Sequence, residues 1–468
     1  MTTIGSMFSG IGGLDLGISM ALKEEGHRVK VSWFCDQDVF ARQVMSFHHP
    51  SAKAYENIYE ISTPYRSQFK KYPSKVNIIT AGFPCKNISI ARLRSGANVE
   101  GIKGNQSGLI IPSMLLFRRL KPDFIVLENV RGVLVDANMR YIVLTLARLG
   151  YAVSWAAVPA GMLDASHLRD RVFIIAKKVS SSFQLPDFPV FSADIVNEVK
   201  SQIGPIWKKT PEGMSRLLPV GAIPDAYRHP FTEQKVRFRC ELNALGNAVA
   251  PPSAKVVGLT MLRGPNRPEY PSGGPFVKKS GNSWKSPPES IGVAALNIDA
   301  IEPHQSWPRA GYACVVKGEV LVVGLSEPAP VWGMVDGKKR NKFRPYKMNS
   351  AEEDEWLERT GKDPRWPTPV AMLSNKKPRD PSTPGFATSC EVYRDSLSDS
   401  VQVEEFSPGS PARILNPEWV SWMMGFPPGW LDIPPVPTGC TTPGGRGIGI
   451  QPKYSLIENP QTTLFARE

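Results

Sequence analysis

The sequence predicts an α/β protein, on three observations. Short strand-like apolar runs recur, among them Val29 to Cys35, Val76 to Thr80 and Asp123 to Leu127. Stretches that read as helical, Leu14 to Leu22 and Leu109 to Leu120, fall between them. Each run ends in glycine, proline or a carboxylate, and ligands meet α/β sheets at the carboxyl ends of the strands.

Residues 4 to 14 read as a strand, a glycine turn and a helix start. Gly10, Gly12 and Gly13 let the backbone approach a ligand at a helix N-terminus; a plain tight turn fits the same residues. The strand Val29 to Cys35 ends at Asp36-Gln37-Asp38. An acid there, about 25 residues after the glycines, suits a pair of ribose hydroxyls. Asp38 suits a helix N-cap. Asn57 and Ile58 close a third unit.

The strand at Val76 delivers Gly82-Phe83-Pro84-Cys85-Lys86-Asn87-Ile88-Ser89, around which the chain is organised. A thiolate is the strongest soft nucleophile among side chains, and a neighbouring cation such as Lys86 would lower its pKa. The other reading is a buried cysteine acting as a small hydrophobe. A polar loop to Ser107 carries Arg92 and Arg94, either as a solvated surface or as a basic loop closing over a phosphate backbone. Asp123 to Leu127 then ends at Glu128-Asn129-Val130. A thiol and a carboxylate brought to one crevice by two strand ends make a catalytic arrangement.

Residues 141 to 150 read as a helix, and 153–157 and 172–176 as two paired strands. Between them, alternation puts Arg169 and Arg171 on one side, where they suit an anion. Residues 178 to 238 give no periodic pattern. Gly246-Asn247-Ala248 brings backbone close to a neighbour before a helix, Ala254 to Leu262. Residues 264 to 290 are rich in Pro, Gly, Ser and Lys and read as a linker. Tyr312 to Leu325 reads as a hairpin around Lys317-Gly318. Lys338 to Lys347 interleaves basic residues with Phe343 and Tyr346, which suits a nucleic-acid surface or an ordinary loop. Leu415 to Met424 reads as a helix capped by Asn416 with Pro417 at its first position.

Composition narrows the classes. The chain has 468 residues, is 41% hydrophobic and carries a formal charge of +13, which favours a polyanionic partner, nucleic acid first. Six scattered cysteines form no CxxC pair, so neither a zinc ribbon nor a disulfide scaffold is indicated, and a reducing cytoplasm fits. No apolar run reaches membrane-spanning length, and the N-terminus lacks signal-peptide features.

Five stretches resemble motifs of the DNA cytosine-5 methyltransferases, in family order over residues 4 to 262. Phe8-Ser9-Gly10-Ile11-Gly12-Gly13-Leu14 looks like the cofactor loop and Gly82-Phe83-Pro84-Cys85 like the nucleophile motif. Leu127-Glu128-Asn129-Val130 looks like the glutamate motif, His167 to Arg171 like the Gln-x-Arg-x-Arg motif, and Gly246-Asn247-Ala248-Val249 with Pro251 like the last motif. A looser likeness, to phage and prophage members, covers 306 to 433. The resemblance implies a Rossmann-like S-adenosylmethionine-dependent methyltransferase domain, 1–176 plus 239–262, with a smaller DNA-recognition domain. Residues 177–238 would be a short insertion, 263–300 a linker, 301–433 a target-recognition region and 434–468 a flexible tail.

It further implies that Cys85, Glu128 and Arg169 are catalytic. Cys85 would attack C6 of a flipped-out cytosine, Glu128 would act at N3, and Arg169 would hold the base or the Cys85 loop, with Arg171 as support. S-adenosyl-L-methionine would be held by Phe8, Ser9, Gly10, Gly12, Gly13, Leu14, Asp36, Asn57, Pro84, Asn247 and Ala248. Lys86, Ser89, Arg92, Arg94 and Arg171 would face double-stranded DNA. A monomer in the cytoplasm of a bacterial or phage-infected cell is expected, with protection from a cognate restriction enzyme as its role. The sequence departs from the family in Lys86 and His167 for usual glutamines and in Asn57 for a usual aspartate. It also carries Arg413 to Pro427, a copy of the penultimate motif that follows the last one; Ile223 to Tyr227 is a fainter copy. A tRNA cytosine-5 methyltransferase, an enzyme transferring a modified group and an inactive DNA-binding homologue are the competing readings.

Overall fold

The computed structural model describes residues 1–62, 73–84, 109–179, 191–207, 211, 213–215, 217–219, 233–263, 277–278, 284–285, 307, 309–316, 319–325 and 413–434. In chain order the elements open with β1 (Thr2–Met7), α1 (Gly13–Glu24), β2 (Val29–Cys35), α2 (Val39–His48), β3 (Lys53–Tyr55) and α3 (Ile58–Ser62). They continue with β4 (Ile78–Ala81), α4 (Ile110–Leu120), β5 (Phe124–Val130), α5 (Asp136–Arg148), β6 (Tyr151–Ala157), β7 (Arg171–Lys178), α6 (Ala193–Trp207) and β8 (Leu217–Pro219). Then follow α7 (Glu233–Asn247), α8 (Pro251–Arg263), β9 (Val277–Lys278), β10 (Trp284–Lys285), β11 (Ala310–Val316), β12 (Glu319–Leu325), β13 (Arg413–Leu415) and α9 (Pro417–Met423).

Nine of these strands form one sheet in the order β12-β11-β6-β7-β5-β4-β1-β2-β3. Strands β3, β2, β1, β4 and β5 run parallel. The order reverses at β1, which is the switch point of a Rossmann-like α/β sheet and the place where ligands bind. β7 then inserts antiparallel between β5 and β6. The sheet is buried on both faces: Ile4, Ile78, Val126 and Phe173 point into one core, and Met7, Ile79, Ile125 and Ile174 into the other.

α1 and α8 meet on the first face almost backbone to backbone. A Cβ on Gly17 would lie 2.2 Å from the Pro251 carbonyl oxygen, and one on Gly258 would lie 2.5 Å from the Ala21 Cβ. Lys255 on α8 pairs with Glu24 at 2.5 Å, and Arg263 pairs with Glu25 and Glu198 at 2.5 and 2.8 Å. The Arg263 pairs are about one-third exposed and add little each; the apolar contact carries the helix pair. α6 escaped the periodicity reading because Ser, Lys and Pro interrupt it. Its buried residues nonetheless form a stripe, Ile195, Val196, Val199, Ile203 and Trp207.

The described parts of 301–433 pack with the N-terminal half. β11 pairs antiparallel with β6 and covers what would otherwise be an open sheet edge. Trp307 donates its backbone N–H to the Leu134 carbonyl at 2.7 Å, and its ring lies 5.3 Å from that of Trp155. β13 pairs with β8. Asn416 caps α9 as expected, its Oδ1 accepting the Glu418 N–H at 3.0 Å, while its Nδ2 donates to the Ser215 carbonyl at 2.7 Å. Within the expected linker, β9 and β10 form a two-stranded ladder. The stretches 223–227, 337–347 and 435–468 lie outside the described residues.

Candidate active site

Three adjacent strands deliver the site at their carboxyl ends. β1 ends in Phe8 to Gly12, β4 in Gly82 to Pro84, and β5 in Glu128 and Asn129. The first loop holds left-handed backbone at Phe8 (φ 53°), Gly10 (φ 50°) and Gly12 (φ 82°). For Phe8, a non-glycine, that conformation costs energy, and such strain gathers at ligand sites. Gly13 has no room for a side chain, because a Cβ there would lie 2.1 Å from the Val249 carbonyl oxygen.

A cavity opens between these ends, lined by Ser6 to Gly10, Gly13, Leu14, Gly82, Glu128 and Asn247 to Val249. The Ser9 hydroxyl is buried with no hydrogen-bond partner among the described residues, which leaves a polar atom for a ligand to satisfy. A strained glycine turn at the start of α1, a buried unpaired hydroxyl and a cavity reaching a carboxylate together fit a polar, nucleoside-bearing cofactor.

Asp36 behaves differently from a bare ribose ligand. Its Oδ2 accepts the Gly10 N–H at 2.7 Å and its Oδ1 the Asp38 N–H at 2.8 Å. Burial pushes its carboxyl above the usual range, with these hydrogen bonds opposing. It therefore fastens the loop, while each oxygen keeps a further lone pair. Asp38 is the N-cap of α2, accepting the Ala41 N–H at 2.8 Å. Asn57, expected among the cofactor-holding residues, accepts the Tyr59 N–H at 3.0 Å and opens α3.

Glu128 is buried, and burial pushes its carboxyl above the usual carboxylate range; Arg171 and then Arg169 pull the other way. Gly82 makes room for it: a Cβ there would stand 3.3 Å from Glu128 Oε2. Asn129 Nδ2 donates to the Phe83 carbonyl at 3.0 Å and so holds the turn that leads into Cys85. Cys85, Lys86, Ser89, Arg92 and Arg94 lie outside the described residues.

The two arginines exchange the places expected of them. Arg171 Nε lies 3.0 Å from Glu128 Oε1, whereas Arg169 is fully buried and donates to the carbonyls of Gly246, at 3.1 Å, and Ala248. The reason is local backbone. Arg171 starts β7 opposite Val130, on the same side of the sheet as Glu128 diagonally across the pair. Arg169 precedes the strand with φ 38°, so strand alternation does not govern it. His167 is also buried, its Nε2 donating to the Met423 carbonyl at 3.0 Å, and burial drives its pKa down to about 3.

Two further groups at the site escape the sequence reading. Asp15 lies in the first turn of α1, fully buried, where the Ser6 and Thr80 hydroxyls donate to its two oxygens at 2.6 and 2.5 Å. Burial raises it to about 6. Its signal is an acid set among apolar helix residues. Trp430 lies against the glycine loop with no local signal at all. Among the described residues, no His/Cys/Asp/Glu cluster could hold a metal, and no helix is long and apolar enough to cross a membrane.

Residues 2–217 match the family model of the C-5 cytosine-specific DNA methylases. These residues are thus a methylase domain of the cytosine-5 DNA methyltransferase family. Among curated relatives, the type II methyltransferase M2.BsuMI of Bacillus subtilis (strain 168) is 33% identical over 196 residues, covering 40% of this chain and 44% of the relative. The type II methyltransferase M.CviJI of Paramecium bursaria Chlorella virus IL3A is 28% identical over 169 residues, covering 34% and 43%. Among solved structures, the S. pombe Dnmt2 methyltransferase is 14% identical, with a TM-score of 0.31 over 40% of this chain and 54% of that one. The matches take in less than half the length of the two curated relatives.

Proposed function

We propose that this protein is a DNA (cytosine-5-)-methyltransferase that uses S-adenosyl-L-methionine and acts through Cys85. The observation that carries the reading is the meeting of Glu128, paired with Arg171, and Gly82 in the wall of the glycine-loop cavity. A cytosine turned out of the duplex would be met there by groups suited to its N3 edge. The Cys85 thiolate adds to C6, and the charge that develops at N3 is taken by Glu128, whose raised pKa suits proton donation. Once C5 carries the methyl group, a base removes the C5 proton, the C5–C6 double bond re-forms and Cys85 leaves as the thiolate. Arg171 holds Glu128 in place. Asn129, through Phe83, sets the approach of the Cys85 loop. Ser9, Gly10, Gly12, Asp36 and Asn247 would hold the cofactor, which when bound supplies an electrophilic methyl group to C5. The net charge of +13 suits double-stranded DNA as substrate. Protection of DNA from a partner restriction enzyme, by a monomer in a bacterial or phage-infected cytoplasm, completes the reading.

The test is mass spectrometry of nucleosides from DNA of cells expressing the protein, beside a Cys85→Ala control. 5-Methylcytosine that disappears in the control is the expected result. A heavier cytosine adduct would redirect attention to Lys86 and the transferred group. Modified cytosine in tRNA but not in DNA would overturn the substrate assignment.

A further inference from the structure

The glycine loop is gripped from two sides, and one grip comes from the far end of the chain. Trp430 Nε1 donates to the carbonyl of Ile11 at 2.9 Å in a buried bond. The same indole borders Gly12, where a Cβ would lie 3.8 Å from its Cζ2. Phe426, 5.9 Å from Trp430 ring to ring, presses on Gly13, where a Cβ would lie 3.0 Å from its Cζ. His48 then braces Trp430. The two rings stack 3.6 Å apart at 8°, and His48 Nε2 donates to the Trp430 carbonyl at 2.8 Å.

The second grip comes from the start of the helix that ends in His48. Asp36, just before α2, accepts the Gly10 N–H, and Asp38 caps that helix. One helix therefore secures both sides of the turn: Gly10 through Asp36 at its N-terminal end, and Ile11 through His48 and Trp430 at its C-terminal end. A turn with left-handed backbone at Phe8, Gly10 and Gly12 has little intrinsic preference for that shape. Holding it ready before the ligand arrives removes an ordering cost from binding.

We infer that Trp430 is a positioning residue for the cofactor loop, so that Phe426 and Trp430, in the stretch that follows α9, complete the cofactor site from beyond the methylase domain. The inference rests on the cofactor reading given above. The buried Nε1–Ile11 bond carries it, because the acceptor that this indole N–H finds is a backbone carbonyl of the ligand loop itself, between Gly10 and Gly12.

The experiment measures binding of S-adenosylhomocysteine by calorimetry to the full-length protein and to Trp430→Phe, His48→Phe and Trp419→Phe. Trp430→Phe keeps a ring and loses the donor; the expected Kd rises about five- to tenfold, the scale of one lost hydrogen bond. His48→Phe keeps the stack, loses the bond to the Trp430 carbonyl, and raises Kd by a smaller factor. Trp419, buried in α9, serves as the control: its replacement lowers the melting temperature and leaves Kd unchanged. Single-turnover methyl transfer by Trp430→Phe recovers at saturating cofactor. Unchanged Kd in both loop-side variants, or an equal rise in Trp419→Phe, overturns the inference. Wild-type protein that binds no S-adenosylhomocysteine overturns the cofactor reading itself, and the inference with it.

Discussion

Arg171 reaches Glu128 across the β5–β7 pair at 3.0 Å, while Arg169, two residues earlier, turns inward to the Gly246 and Ala248 carbonyls. One arginine thus pairs with the carboxylate of the cavity wall and the other ties the strand entry to the end of α7. Arg171→Ala should lower methyl transfer at saturating substrates by roughly 100-fold, the scale of a misplaced catalytic group. Its melting temperature should fall little. Activity assays on DNA beside thermal melts check this, and near-normal turnover would remove Arg171 from the site.

Arg169→Ala should behave in the opposite way. It leaves two buried carbonyls without their charged donor, which costs about 3 kcal/mol or more of stability. Urea midpoints should drop sharply, and activity per folded molecule should fall less than in Arg171→Ala. A stable but inactive Arg169→Ala protein would reverse the two roles.

Two buried groups give opposite pH slopes. Asp15 is raised to about 6 from 3.8, so its contribution is fully present below about pH 4 and is lost as pH rises to about 6. Asp15→Asn should abolish that fall, which amounts to roughly 3 kcal/mol at most. His167 is lowered from 6.5 to about 3, so its contribution is present above 6.5 and is lost as pH falls toward 3. His167→Gln should flatten that loss. Denaturant midpoints of each variant against wild type, from pH 4 to 8, check both, and a difference of the wrong sign would refute the assignment concerned.

Arg309 forms a two-pronged pair with Asp170, at 2.8 and 3.0 Å, between the chain entering β11 and the loop that carries the arginines. A double-mutant cycle with Arg309→Ala and Asp170→Ala should give a coupling of about 1–3 kcal/mol, as expected of a partly buried bidentate pair. Coupling near zero would make the contact incidental.

The parallel half of the sheet was legible because each strand is a local apolar run ending in a turn residue. β2 was read with its observed bounds, Val29 to Cys35, and the β11–β12 hairpin was read from Tyr312 to Leu325, two residues short at its start. The carboxyl-edge meeting of Glu128 with the Gly82 turn followed from the same logic. The division of labour between Arg169 and Arg171 was not legible, because it depends on a left-handed residue just before a strand and not on alternation along it. Nor was the seat of 413–433, since a stretch that pairs with β8 and rests on Gly13 shows those contacts only in three dimensions.

The bond between Trp430 and Ile11 joins residues 419 positions apart, and β11 must reach back to β6 across most of the middle of the chain. During synthesis at about 5–20 residues per second, the first strands leave the ribosome long before either partner exists. The nascent protein therefore carries an unpaired strand edge and an unfastened ligand loop until its last third emerges. Contacts of such separation slow folding. Ribosome-bound intermediates of this protein should accordingly depend on chaperones up to the point where residue 433 is free, and gain the capacity to hold cofactor only then.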